Sequence, residues 1–174
     1  MRPLKADEIE VRVGQVYQGG VTMLLYKNAR VDMALLDEFY GPMGWQRDHK
    51  EVNGVMYCGI GIYDTASGHW VWKWDAGTES NTEKEKGAAS DSFKRAAVNW
   101  GIGRELYTAP FIWLEVATDS YQSNGKTYYK LHNPKELRGI KVSYIDTDER
   151  DGALVITALG LSQNGHDIYT WREK

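Results

Sequence analysis

With one cysteine in 174 residues, the chain has no internal disulfide and no cysteine-based zinc site. Cys58 sits in an apolar, strand-like run and reads as a small buried hydrophobe. Four prolines and no low-complexity tract give neither a Pro-rich linker nor a repeat. No hydrophobic run is long enough to span a membrane, and residues 1–13 (MRPLKADEIEVRV) lack an apolar signal core. A soluble intracellular protein is expected, in the cytoplasm. Positive charge is not in excess: 21 Lys and Arg face 24 Asp and Glu, a formal net charge of −3. That balance argues against indiscriminate nucleic-acid binding, so any DNA surface must be a local basic patch.

Enzyme signatures are missing as well. There is no phosphate-cradling Gly-rich loop ending in Lys-Ser or Lys-Thr, no Gly-x-Ser-x-Gly elbow and no His-Glu-x-x-His helix. His49, His69, His132 and His166 are scattered beside turns and strand ends. The acidic run Asp146, Asp148, Glu149, Asp151 fails as a calcium loop, because Arg150 and Thr157 occupy its fifth and twelfth positions. It reads as a charged hairpin. No catalysis, cofactor or metal is expected.

Aromatic residues are plentiful: seven Trp and eleven Tyr against three Phe. Such rings serve cores, wet interfaces and base stacking alike. The length suits one domain with a sizeable core. Short strands are expected at 11–16 and 21–26, then a helix capped by Asn28 and running to Tyr40, with Val31, Leu35 and Phe39 on one face. Gly41 and Pro42 end it. Strands at 45–52, 55–63 and 69–75 form an antiparallel meander, with Asn53-Gly54 as a hairpin turn. Cys58, Ile60 and Ile62 share one face of the middle strand, and Trp70, Trp72 and Trp74 share one face of the third.

A second helix follows. Ser80 to Glu83 form a capping box, Ala89, Phe93, Ala96 and Trp100 make a narrow apolar stripe, and Gly101 stops it. Lys84, Gly87, Asp91, Lys94, Arg95 and Val98 lie opposite that stripe. Taken alone, such a face is an ordinary solvated one. Further strands are expected at 111–116, 127–131, 140–145, 153–159 and 167–171, with turns at Ser123-Asn124-Gly125, Asp151-Gly152 and Asn164-Gly165. The order gives an α+β fold: an antiparallel meander packed on a long helix, with a C-terminal β-rich extension.

The run from Lys86 to Ala97 (KGAASDSFKRAA), continuing as Asn99-Trp100-Gly101-Ile102-Gly103-Arg104-Glu105-Leu106-Tyr107, resembles the signature helix of the Rad52 superfamily of single-strand annealing proteins. Tyr40-Gly41-Pro42-Met43-Gly44-Trp45 resembles the family's Phe-Gly-x-x-x-Trp at the end of its first helix. The wording around Trp100 is most similar to the phage and prophage branch. The likeness covers about residues 11–110, and it implies a β-β-β-α core in an annealing domain at 1–110, with residues 111–174 as an extension packed on the same domain.

It also implies ATP-independent binding and annealing of single-stranded DNA in recombination and repair. A ring or filament of identical subunits and phage or host recombination partners go with that activity. Carried over by position, Lys94 and Arg95 contact phosphates. Eukaryotic members have another cation where this chain has Val98, and an Arg where it has Gln15, with Arg12 the nearest cation. Arg104, Lys84, Lys86 and Lys73 complete the candidate DNA-binding set. Tyr17 and Tyr26 either stack a base or pack within a sheet.

Overall fold

A computed structural model describes residues 1–77 and 84–174, without the side chains of residues 84–86. In chain order, β1 (Glu10–Tyr17) and β2 (Gly20–Tyr26) precede α1 (Ala29–Tyr40). Then come β3 (Trp45–Val52), β4 (Val55–Asp64), β5 (His69–Ala76) and α2 (Lys84–Asn99). The remainder is β6 (Ile112–Glu115), β7 (Thr118–Ser123), β8 (Lys126–Leu131), β9 (Lys141–Arg150), β10 (Ala153–Gln163) and β11 (His166–Arg172). Helices and strands are mixed, and every strand pairing described is antiparallel. No helix among the described residues is long and apolar enough to cross a membrane.

The chain divides into two compact units. The first comprises Met1–Pro3 and Lys27–Arg104. Here the Asn28 side chain caps α1 by accepting from the Arg30 and Val31 backbone N–H groups at 2.9 and 3.3 Å, and Gly41 ends the helix at φ 71°. The buried face of α1 is Asp32, Leu35 and Leu36, while Phe39 is exposed. The expected Val31–Leu35–Phe39 stripe is therefore rotated. Lys27 draws the Asp32 carboxylate inward, a polar contact that apolar periodicity does not register.

Strands β3, β4 and β5 form the meander, and Asn53 and Gly54 both have positive φ (52° and 78°), as the tight hairpin turn requires. Cys58, Ile60 and Ile62 are buried on one face of β4. That face receives α2: Arg47 of β3, paired with Ile60, lies over the Phe93 ring, and Asp75 of β5, paired with Cys58, meets Arg95. Helix α2 buries Ala88, Ser92, Phe93, Ala96 and Ala97, with Ala89 and Trp100 only half-buried, so its inner stripe is broader than expected. Complete burial of Phe93 contributes about 2–3 kcal/mol. Gly101, at φ 96°, closes the C-terminus by donating to Val98 O at 2.9 Å. The expected capping box at Ser80 to Glu83 lies outside the described residues.

The second unit comprises Leu4–Tyr26 and Glu105–Lys174. The division expected at 110/111 falls inside it, because β2 pairs with β6 in the sheet β1-β2-β6. A second sheet has the order β11-β10-β9, and β7 with β8 makes a separate hairpin. Asn124-Gly125, Asp151-Gly152 and Asn164-Gly165 all turn with positive φ at both residues. The acidic run lies along β9 and this Asp151 turn, where Arg150 bonds Glu173 and Arg172 bonds Asp146. Strand β7 was not expected. Its sequence TDSYQS has no apolar alternation, and among the described residues the strand pairs with β8 alone.

Candidate nucleic-acid interface

The expected cations fall into three groups. Lys73, Arg95 and Arg104 converge on the C-terminal end of α2. The Lys73 ammonium donates to Asn99 O at 2.9 Å and sits 4.3 Å from the Trp100 ring centroid. Arg104 donates through Nε and Nη2 to Val98 O and through Nη2 to Asn99 O, at 3.0–3.3 Å. These bonds satisfy carbonyls that a helix end leaves open, and the cations offset its partial negative charge. Arg95 donates through Nε to Asp75 Oδ1 at 3.2 Å, and the Asn99 amide donates to Asp75 Oδ2 at 3.3 Å. Around Asn99, these three cations gather with the Asp75 carboxylate among them.

Lys94 occupies the next helical position and is half-buried. Its carbonyl accepts from Lys27 Nζ at 3.3 Å, and Lys27 is itself paired with Asp32. Burial pushes the Asp32 carboxyl up to about 6 against the opposing pull of Lys27 and Lys94. This buried pair fastens α1 to the α2 backbone at the lysine the signature singles out. Sequence reading missed Lys27, Asp32 and Asp75. Only the spacing of Lys27 and Asp32 across the start of α1 hinted at a pair.

The other candidates are placed differently. Arg12 belongs to the second unit, where its guanidinium lies 5.4 Å from the Tyr26 ring centroid. Lys84 and Lys86 stand on the first turn of α2, with side chains outside the described residues. Val98 carries no charge, but its carbonyl holds the Arg104 guanidinium. Among the described residues, no group of three or more His, Cys, Asp or Glu could hold a metal ion.

A family model described as "Rad52/22 family double-strand break repair protein" matches residues 1–125. The chain belongs to that family. Membership places it in DNA repair and recombination, and the match takes in the meander, α2, and β6 with β7. No curated protein matches the chain.

Proposed function

We propose that this family member binds single-stranded DNA and anneals complementary strands without ATP, as a non-catalytic homo-oligomeric ring or filament of the phage type. In this reading β3–β5 with α2 are the family's β-β-β-α core, and the assembly works on intracellular DNA. The observation that carries it is the cluster of Lys73, Arg95 and Arg104 around Asn99 at the C-terminal end of a family member's α2, with Lys94 preceding Arg95 on that helix. Arg95 commits only Nε to Asp75, and its planar fork has further donors suited to phosphate oxygens. Affinity comes chiefly from counterion release, which needs no base sequence and no nucleotide cofactor.

The test is fluorescence binding and annealing of oligo-dT and its complement by the full chain and by Lys94→Ala/Arg95→Ala. Loss of two phosphate contacts should flatten the slope of log affinity against log salt by about 1.4. A double variant that binds and anneals like the parent overturns the phosphate assignment.

A second reading has an observation of its own. Lys73 and Arg104 already cap α2, and Arg95 is already paired. Those bonds, with a net charge of −3, fit a module that keeps the fold for protein binding alone. A monomer by mass photometry, with no salt-dependent affinity for oligo-dT, favours that reading.

A further inference from the structure

The sheet β1-β2-β6 turns a row of rings outward. Register places Tyr17 opposite Gly20, Trp113 opposite Thr22 and Arg12 opposite Leu24, all on one face. Val21, Met23, Ile112 and Leu114 take the other face and are buried. On the outer face the Tyr17 and Trp113 centroids are 5.9 Å apart, and those of Phe111 and Trp113 are 6.5 Å apart with planes inclined by only 14°. Phe111 is 74% exposed, Tyr17 42% and Leu24 45%.

These rings are held in place rather than dangling. A Cβ on Gly20 would stand 2.1 Å from the Trp113 ring, so glycine there lets the indole lie against the strand. The Tyr169 hydroxyl donates to the Phe111 carbonyl at 3.3 Å and anchors the backbone under the most exposed ring. A fixed, solvent-facing aromatic row gains nothing by remaining uncovered, and such patches mark binding surfaces.

The chemistry of the face selects the occupant. It offers flat π-surfaces, a guanidinium at one side (Arg12) and a hydroxyl within the row (Thr22). Its two carboxylates, Glu10 opposite Tyr26 and Glu115 opposite Gly20, lie towards opposite ends of β2. Carboxylates repel a phosphate backbone, whereas rings and guanidinium planes stack on bases. We propose that Tyr17, Trp113 and Phe111 form a base-stacking platform for single-stranded DNA, with Arg12 at its margin. This rests on the single-strand binding proposed above and adds a contact to bases where α2 offers contacts to phosphates. Three rings engage only a few bases, so most of a bound strand stays open for pairing.

The test compares oligo-dT with an abasic oligonucleotide of equal length, by fluorescence anisotropy on the full chain. The parent should prefer oligo-dT by about tenfold or more. Phe111→Ala and Tyr17→Ala should each weaken oligo-dT binding roughly tenfold, leaving abasic binding and the salt slope unchanged. Phe111→Tyr, which retains a ring, should keep the parent's preference, and unchanged melting temperatures show that the variants fold. A parent that binds both oligonucleotides equally, with normal salt dependence, overturns the platform alone. Ala variants that change oligomer mass but keep the base preference also overturn it, and make this face a contact between copies of the chain. A parent with no affinity for either oligonucleotide overturns the single-strand reading and the platform together.

Discussion

Each unit turns an aromatic sheet face outward, and the two faces are built differently. In the first unit, Tyr63, Trp70, Trp72 and Trp74 line the side of the meander away from α2. The Trp72 and Trp74 centroids are 5.7 Å apart, those of Tyr63 and Trp70 are 5.4 Å apart, and Lys50 Nζ sits 4.3 Å from the Trp74 centroid. Gly59 and Gly61 lie beneath the indoles: a Cβ on either would come within 2.5 or 2.8 Å of Trp74 or Trp72. Both indoles are half-buried by this contact. On the β1-β2-β6 face of the second unit Gly20 lies beneath Trp113, and Phe111 continues the row with most of its surface uncovered. In the meander the glycines seat both indoles, whereas in the second unit the seated Trp113 is flanked by Phe111, which keeps most of its surface exposed.

Trp74→Ala should break this contrast most visibly. Removing an indole that covers Gly59 should cost about 3–4 kcal/mol in urea denaturation, with the preference for bases over abasic sites intact. Phe111→Ala should stay within about 0.5 kcal/mol of the parent. If Trp74→Ala were neutral for stability but lost the base preference, the roles of the two faces would be reversed.

The units also bury one carboxylate each, and each carboxylate has one oxygen without a partner among the described residues, Asp32 Oδ2 and Glu105 Oε2. Glu105 is held by the Leu4 backbone N–H at 2.7 Å, and Asp32 by the Lys27 ammonium. Burial raises the Asp32 carboxyl to about 6, so the folded protein holds that proton more tightly than the unfolded chain. The resulting stability is present near pH 4 and is lost as pH rises through 6, by about 3 kcal/mol. Asp32→Asn should flatten that fall, whatever constant penalty an unpaired Lys27 adds. Parallel stability profiles for parent and variant from pH 4 to 6 would show that Asp32 does not titrate there.

Gly20→Ala should give a middle-sized effect and couples stability to binding within the second unit. The added Cβ meets the Trp113 ring and, at 2.7 Å, the Leu114 carbonyl, so a cost of about 1–3 kcal/mol is expected. A displaced Trp113 should reduce the base preference as well. A variant destabilised by that amount with an unchanged base preference would remove Trp113 from the platform.

How far the sequence could be read follows from which interactions repeat along it. The meander was legible because Cys58, Ile60 and Ile62 alternate with Gly59 and Gly61, and because Asn53-Gly54 takes positive φ at its hairpin turn. The end of α2 was legible from Gly101. The rotated face of α1 was not, since Asp32 is buried by a charge partner rather than by hydrophobicity. Nor was the grouping of β1 and β2 with β6, a pairing that joins residues about ninety positions apart. For the site, residue types at 73, 94, 95 and 104 were available from the sequence. That three of them converge on Asn99, and that Asp75 stands among them, depends on tertiary contacts.

The smallest expected effect bears on that convergence. Asp75 brings a carboxylate into the cluster and engages Arg95 and Asn99 through different oxygens. The Arg95–Asp75 pair is partly exposed, so Asp75→Ala should cost under about 1 kcal/mol of stability. The same change releases Arg95 Nε and leaves the cluster one unit more positive. Affinity for oligo-dT should rise by about threefold at low salt, with a steeper salt slope and no change in base preference. Asp75→Asn should do the same while keeping an acceptor for the Asn99 amide, which separates the effect of charge from that of a lost hydrogen bond. Both substitutions leave the aromatic faces of the two units untouched. A gain confined to phosphate affinity would therefore divide the labour between α2 and the platform, and no gain from either substitution would remove Arg95 from the DNA contacts.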